Sequence, residues 1–115
     1  MKNLDFKREQ GQCPTWIAVA KFSSGDEASV TIGNDNNGGD GWSTYISVYS
    51  KNCTESWDCT TTLTSGCEKE TVRECLEFNS VSFKESELND ITAKVIELVK
   101  NTSKRGCAKD DYFGI

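Results

Sequence analysis

The stretch Thr15–Gly33, TWIAVAKFSSGDEASVTIG, decides the fold. Its first half is apolar at nearly every position, with Trp16, Ala18, Ala20 and Phe22 on one side of an extended chain and Ile17 and Val19 on the other. Apolar residues on both sides suit a central strand. SSGDE is turn chemistry, and ASVTIG, from Ala28 to Gly33, alternates around Val30 and Ile32. The pair predicts a β-hairpin.

Beyond it, NDNNGGDG (Asn34–Gly41) has no apolar side chain and three glycines, which reads as a loop. WSTYISVYS, from Trp42 to Ser50, sets Tyr45 and Tyr49 against Ile46 and Val48 and predicts a third strand. WDCTTTLT, residues 57–64, is rich in β-branched residues, contains no proline and predicts a fourth. Connections this short allow all neighbours to run antiparallel.

The period then changes to that of a helix. Ser65 and Glu68 have the spacing of a capping box, and Val72, Cys75, Leu76 and Phe78 form a narrow apolar stripe behind them. Ser82 and Glu85 repeat the spacing before a longer stripe of Leu88, Ile91, Val95, Leu98 and Val99, with Gly106 as its stop. The expected architecture is α+β: an antiparallel sheet of about four strands, two helices packed on one face, the other face partly solvated, and disulfide staples. At 115 residues this is one domain, expected over residues 13–115.

Residues 1–12 carry only Leu4 and Phe6 as large apolar groups, so a mobile leader is expected there. Lys7 and Arg8 make a dibasic pair that a secretory-pathway endoprotease could cut in such an arm, leaving Glu9 as the first residue. A second pair, Lys104 and Arg105, falls in the last turn of the long helix, where cations complement the helix dipole, and reads as structural.

Six cysteines, with one methionine and no histidine, point to a chain oxidised outside the cytosol. Cys13, Cys53, Cys59, Cys67, Cys75 and Cys107 contain no C-x-x-C pair, which weakens a zinc reading. In a helix over residues 67–78, Cys67 and Cys75 stand about 12 Å apart along the axis, too far to bond to each other. Cys13 and Cys107 are placed to tie the chain ends to the body. The sequons at Asn52 and Asn101 are compatible with glycosylation and secretion. The chain opens with no signal-peptide h-region, so secretion requires a signal removed ahead of Met1, and no apolar run is long enough to span a bilayer.

A net charge of −5 lacks the basic surface that binding to nucleic acid needs. Without histidine the usual base for Ser and Cys nucleophiles is missing, and no carboxylate pair stands out. The chain reads as non-enzymatic and without a cofactor. Asp35, Asn37 and Asp40 are oxygen ligands of the calcium type, but Gly39 and Ile46 stand where an EF-hand loop needs an oxygen ligand and a glutamate, so a hairpin loop is the reading. Trp16 reads as core, whereas Trp42 and Trp57 flank polar stretches and, with Tyr45 and Tyr49, are candidates for an interaction surface.

In type, the Lys7-Arg8 site in a polar leader, the six cysteines and the strand-rich half followed by helices resemble the small cysteine-rich effectors and killer toxins secreted by fungi. The resemblance implies a secreted, extracellular virulence or avirulence protein that binds a host protein or a co-secreted effector, with entry into host cells as a further step. A killer-toxin-like subunit acting on a target membrane or channel is the alternative it implies. Trp42 and Trp57 carry a third reading, a secreted carbohydrate-binding or inhibitor protein.

Overall fold

The computed structural model describes residues 1, 4–9, 15–36, 42–51 and 59–105. Five strands and two helices follow one another as β1 (Lys7–Glu9), β2 (Thr15–Lys21), β3 (Glu27–Asn36), β4 (Trp42–Ser50), β5 (Cys59–Thr62), α1 (Glu68–Phe78) and α2 (Glu85–Arg105). The strands form one antiparallel sheet in sequence order, so the α+β class holds.

The register turns the period-2 pattern into two faces. Ala18, Val30 and Val48 pair in one row and Trp16, Ile32, Ile46 and Thr61 in another, all directed toward the helices. On the far face the rows read Ile17, Thr31, Ser47, Thr60 and Val19, Ser29, Tyr49. Ala20, Val30, Ile32, Ile46 and Val48 have no exposed surface and share one core with Val72 and Leu76 of α1 and Leu88, Ile91 and Val95 of α2. Fully burying one such Val, Leu or Ile contributes about 1.5–3 kcal/mol, which makes this contact the main source of stability.

Short-range chemistry closes each connection. In the β2–β3 hairpin Phe22 donates its N–H to the Asp26 carbonyl, and Gly25 donates to that of Phe22, with Gly25 at φ +97°. That tip is fastened to the approach of α2: Ser24 Oγ donates to the Ser82 carbonyl at 2.7 Å, and Asp26 Oδ2 accepts from the Ser82 N–H at 2.7 Å. Ser82 therefore braces the hairpin and is not a helix cap. The reciprocal capping contact belongs instead to Glu87, whose Oε1 accepts the Lys84 N–H and whose Oε2 accepts the Ser23 N–H, both at 2.9 Å. Burial pushes the Glu87 carboxyl up, but the backbone N–H groups of Lys84 and Ser23, the Lys84 charge and the Ser23 hydroxyl together outweigh it, and the net displacement is downward.

α1 starts differently from the Ser65–Glu68 box expected. Cys67 is its N-cap, without a side-chain bond, and Glu68 reaches back to the Gly66 N–H at 2.9 Å. The far end closes in a Schellman arrangement, Ser80 donating to the Glu77 carbonyl and Val81 to that of Leu76, with Ser80 in the left-handed region at φ 57°. Phe78 leaves the predicted stripe and is 48% exposed. At 100° per residue it lies roughly 110° around the helix from the centre of Val72, Cys75 and Leu76.

Two further expectations change. Lys7–Glu9 pairs with β2, and Met1, Leu4 and Phe6 pack against the core, so the described part of residues 1–12 is an attached strap and not a free arm. The backbone pairing and three apolar side chains offset the ordering entropy that Leu4 and Phe6 alone would leave uncovered. β2 is accordingly second in the sheet, with four strands becoming five. The third and fourth strands stay close to their predicted bounds, although β3 continues through Asn34–Asn36, paired with Thr44 down to Trp42, where a loop was expected. Residues 37–41 of that loop lie outside the described residues.

Among the described residues no disulfide is formed. Cys67 is exposed at the start of α1, Cys75 is buried in the core, and the two are not joined to one another. Cys13, Cys53 and Cys107 lie outside the described residues.

Candidate functional site

Helices cover one face of the sheet, and among the described residues no element covers the other. The residues there follow from the alternation: Ile17, Val19 and Lys21 on β2, Ser29 and Thr31 on β3, Tyr45, Ser47 and Tyr49 on β4, Thr60 and Thr62 on β5. Every one has a partner of opposite parity in the core, so a one-residue slip would exchange hydroxyls for aliphatics across the whole sheet. The core pins the register, and the register fixes what the open face displays.

Two apolar groups stand out on it, both in the row Val19, Ser29, Tyr49. Val19 is 49% exposed and Tyr49 is 55% exposed. Scattered apolar surface is ordinary, but this valine and tyrosine share one cross-strand row with only Ser29 between them. Between them and β5 the lining is hydroxyl-rich, and Thr60 Oγ1 donates to Ser47 Oγ at 3.1 Å. Tyr45 is held down over Gly33, the space above that glycine being taken by its ring and hydroxyl.

At the β1 side the face becomes a groove of about 460 Å³, with Ile17 and Val19 as its apolar floor and Asp5, Lys7, Glu9 and Lys21 around it. Charges at an edge keep a sheet from pairing indiscriminately with other chains. Lys21 is also 3.9 Å from Glu27 across the hairpin.

The sequence-predicted candidates divide. Tyr45 and Tyr49 share the open face, four residues apart on β4 with the row of Ser47 between theirs. Trp42 begins β4, opposite Asn36, while its side chain, all of Trp57, and Asn52 lie outside the described residues. Lys7 and Arg8 are both exposed on β1. Asn101, Lys104 and Arg105 fall within α2, which ends at Arg105, as the helical reading of that dibasic pair requires. Trp16 is packed against the core, as expected, but only partly buried, and its indole N–H is buried without a hydrogen-bond partner. Val19, assigned to the second face of a central strand, is the most useful residue that sequence reasoning passed over; it lies on the face that the helices do not cover.

No protein-family model, curated protein or solved structure matches the chain. No described helix is long and apolar enough to cross a membrane.

Proposed function

We propose that the protein is a secreted, non-enzymatic binding protein of the fungal effector type, which acts by contact with a host protein or a co-secreted effector. One observation supports this most: the open sheet face, where Val19 and Tyr49 stand exposed on one row with Ser29 between them. Protein interfaces combine an apolar, aromatic centre with a polar rim, and the charged groove at β1 supplies such a rim on one side.

The test compares the wild-type chain with Tyr49→Ser and Val19→Ser as baits for the secretome of a producing fungus and for extracts of its host. Both positions are exposed, so the variants should keep the wild-type circular dichroism. One partner captured by the wild type and lost with either variant is the expected result. A partner retained by both variants, or none from either source, overturns the reading.

A carbohydrate ligand is a second reading, favoured by the hydroxyls of Ser29, Thr31, Ser47 and Thr60 beside an exposed tyrosine ring. Retention on a neutral polysaccharide that Tyr49→Ser abolishes would select it over the first. The disulfide staples belong to the same proposal, with Cys13 and Cys107 tying the chain ends to the body. Alkylating the secreted chain before and after reduction, followed by intact mass, reads them out: cysteines labelled only after reduction support the staples, and equal labelling overturns them.

A further inference from the structure

The last turn of α1 reaches the end of β4 through one side chain. Asn79 Nδ2 donates to the carbonyls of both Cys75 and Val48, at 2.8 and 3.1 Å, while its Oδ1 accepts the Ser50 N–H at 3.1 Å. Which edge of β4 this is follows from the other end of the strand. Leu63 donates its N–H to the Thr44 carbonyl, so by alternation Thr44, Ile46, Val48 and Ser50 turn their N–H and C=O toward the β5 side. β5 pairs with β4 from Tyr45 to Val48, and Cys59, the first residue of β5, is the partner of Val48. The Val48 carbonyl that Asn79 holds is therefore on the side of Cys59.

Cys75 stands on the matching flank of α1. Arg73 and Lys69, which bond Glu85, mark the flank that faces α2. At 100° per residue Cys75 lies roughly 160° around the helix from Arg73, on the flank away from α2. It is 1% exposed there, within the core cluster that holds Ile46, Val48 and Leu63. α1 lies over β4 and β5, whereas α2 lies over β3, so this flank faces the part of the sheet to which β5 belongs. Cys59, as cross-strand partner of the fully buried Val48, falls on the helix-covered side of that strand.

We propose that Cys59 and Cys75 are joined in a disulfide that fixes β5 beneath α1. The inference deepens the proposed staples and rests on the same secretion through an oxidising compartment. A disulfide needs Cα atoms about 4.4–6.8 Å apart, and here the Val48 carbonyl, on the side of Cys59, shares one amide nitrogen with the carbonyl of Cys75. Cys67 cannot take the place of Cys59, since it stands exposed at the start of the same helix, about 12 Å along the axis from Cys75. The pairing leaves Cys13, Cys53, Cys67 and Cys107 for the remaining staples.

The step is a thiol–disulfide exchange with a disulfide oxidant of the glutathione class. One cysteine thiolate attacks the oxidant's S–S bond, forming a mixed disulfide and releasing one thiol, and the second cysteine thiolate then displaces the other. Two S–H bonds give way to one S–S bond, and the two electrons and two protons end on the oxidant as its two thiols. Cys75 is closed off from solvent in the folded chain, so the exchange belongs to the stage before α1 docks on the sheet. The product secures the shortest strand on that side of the sheet, which pairs over Cys59–Thr62 alone and sets Thr60 and Thr62 on the open face. Cross-linking a loop of this length shifts a folding equilibrium by on the order of a hundredfold.

Full-length chain folded in a glutathione redox mixture and checked by circular dichroism is then denatured, alkylated without reduction, digested and read by mass spectrometry with fragmentation of linked peptides. A peptide pair joined through Cys59 and Cys75, separating on reduction, is the expected product. Alkyl label on Cys75, or a bond from Cys75 to any other cysteine, overturns the inference. Label on Cys75 with other cysteines bonded refutes this pairing alone, whereas label on all six refutes the proposed staples with it. Cys59→Ala should add one labelled thiol, at Cys75, and lower the folding equilibrium on the order of a hundredfold in urea unfolding. Cys75→Ala should add one at Cys59, and the double variant none. A Cys59→Ala chain that gains no label at Cys75 also overturns the pairing, and the wild-type map decides even where Cys75→Ala does not fold.

Discussion

A Cβ atom at Gly33 would stand 2.8 Å from the Tyr45 hydroxyl oxygen and 2.9 Å from its Cζ, so the tyrosine occupies the space that the glycine leaves. The two are cross-strand partners. Glycine weakens a strand interior, and an aromatic ring laid over it from the neighbouring strand restores the lost cover. Gly33 is buried despite lying on the open side. We expect Gly33→Ala to destabilise by about 1–3 kcal/mol, the range for forcing extra volume into a packed site. In a Tyr45→Ala background the same substitution should cost much less, and a double-mutant cycle by urea unfolding measures the difference.

Asn79 joins the end of α1 to the end of β4. Its Oδ1 accepts the Ser50 N–H at 3.1 Å, and its Nδ2 donates to the carbonyls of Val48 at 3.1 Å and Cys75 at 2.8 Å, all in a buried setting. Asn79→Ala strips these groups of a partner where water does not reach. The expected loss is about 3 kcal/mol, read as a lower denaturation midpoint with an unchanged slope.

Ser80 holds a left-handed conformation that glycine adopts without penalty. Ser80→Gly relieves about 1–2 kcal/mol of backbone strain and gives back about 0.5–1 kcal/mol in chain entropy. A net gain of about 0.5–1 kcal/mol follows from the difference between the two. Ser80→Val should move stability the other way, and thermal unfolding of the pair checks both signs.

The legible parts of this fold are those where one element buries one face. The hairpin of Thr15–Gly33 and the stripe Leu88, Ile91, Val95, Leu98 announce themselves because burial repeats at the element's own period. β1 was illegible for the opposite reason: KRE buries nothing, and its place comes from backbone pairing with β2 and from neighbours outside the strand. Capping spacings also misled at Ser82: the hairpin tip holds its backbone N–H and C=O, α2 begins only at Glu85, and Glu87 closes the helix start by accepting the Lys84 N–H. Of the candidate site, Tyr45 and Tyr49 were legible from alternation alone. Val19 was not, because an apolar residue on a strand's second face looks the same whether or not another layer covers that face.

Glu85 links the two helices. Its Oε1 and Oε2 accept both terminal nitrogens of Arg73, at 2.9 and 3.1 Å, and Lys69 lies 2.9 Å away. Those two hydrogen-bonded cations, Arg73 first, hold its carboxyl at about 2, against an ordinary 4.5. A carboxylate whose pKa is lower in the folded chain stabilises the fold wherever it is ionised in both states. Its contribution is therefore complete above about 4.5 and is lost as the pH falls from there through about 2. All three groups are solvent-exposed, so screening by salt should weaken the effect. Urea midpoints measured between pH 2 and pH 6 in low salt should fall toward acid more steeply for the wild type than for Glu85→Gln. Added salt should bring the two profiles together, whereas parallel profiles in low salt would assign the acid sensitivity to other carboxylates.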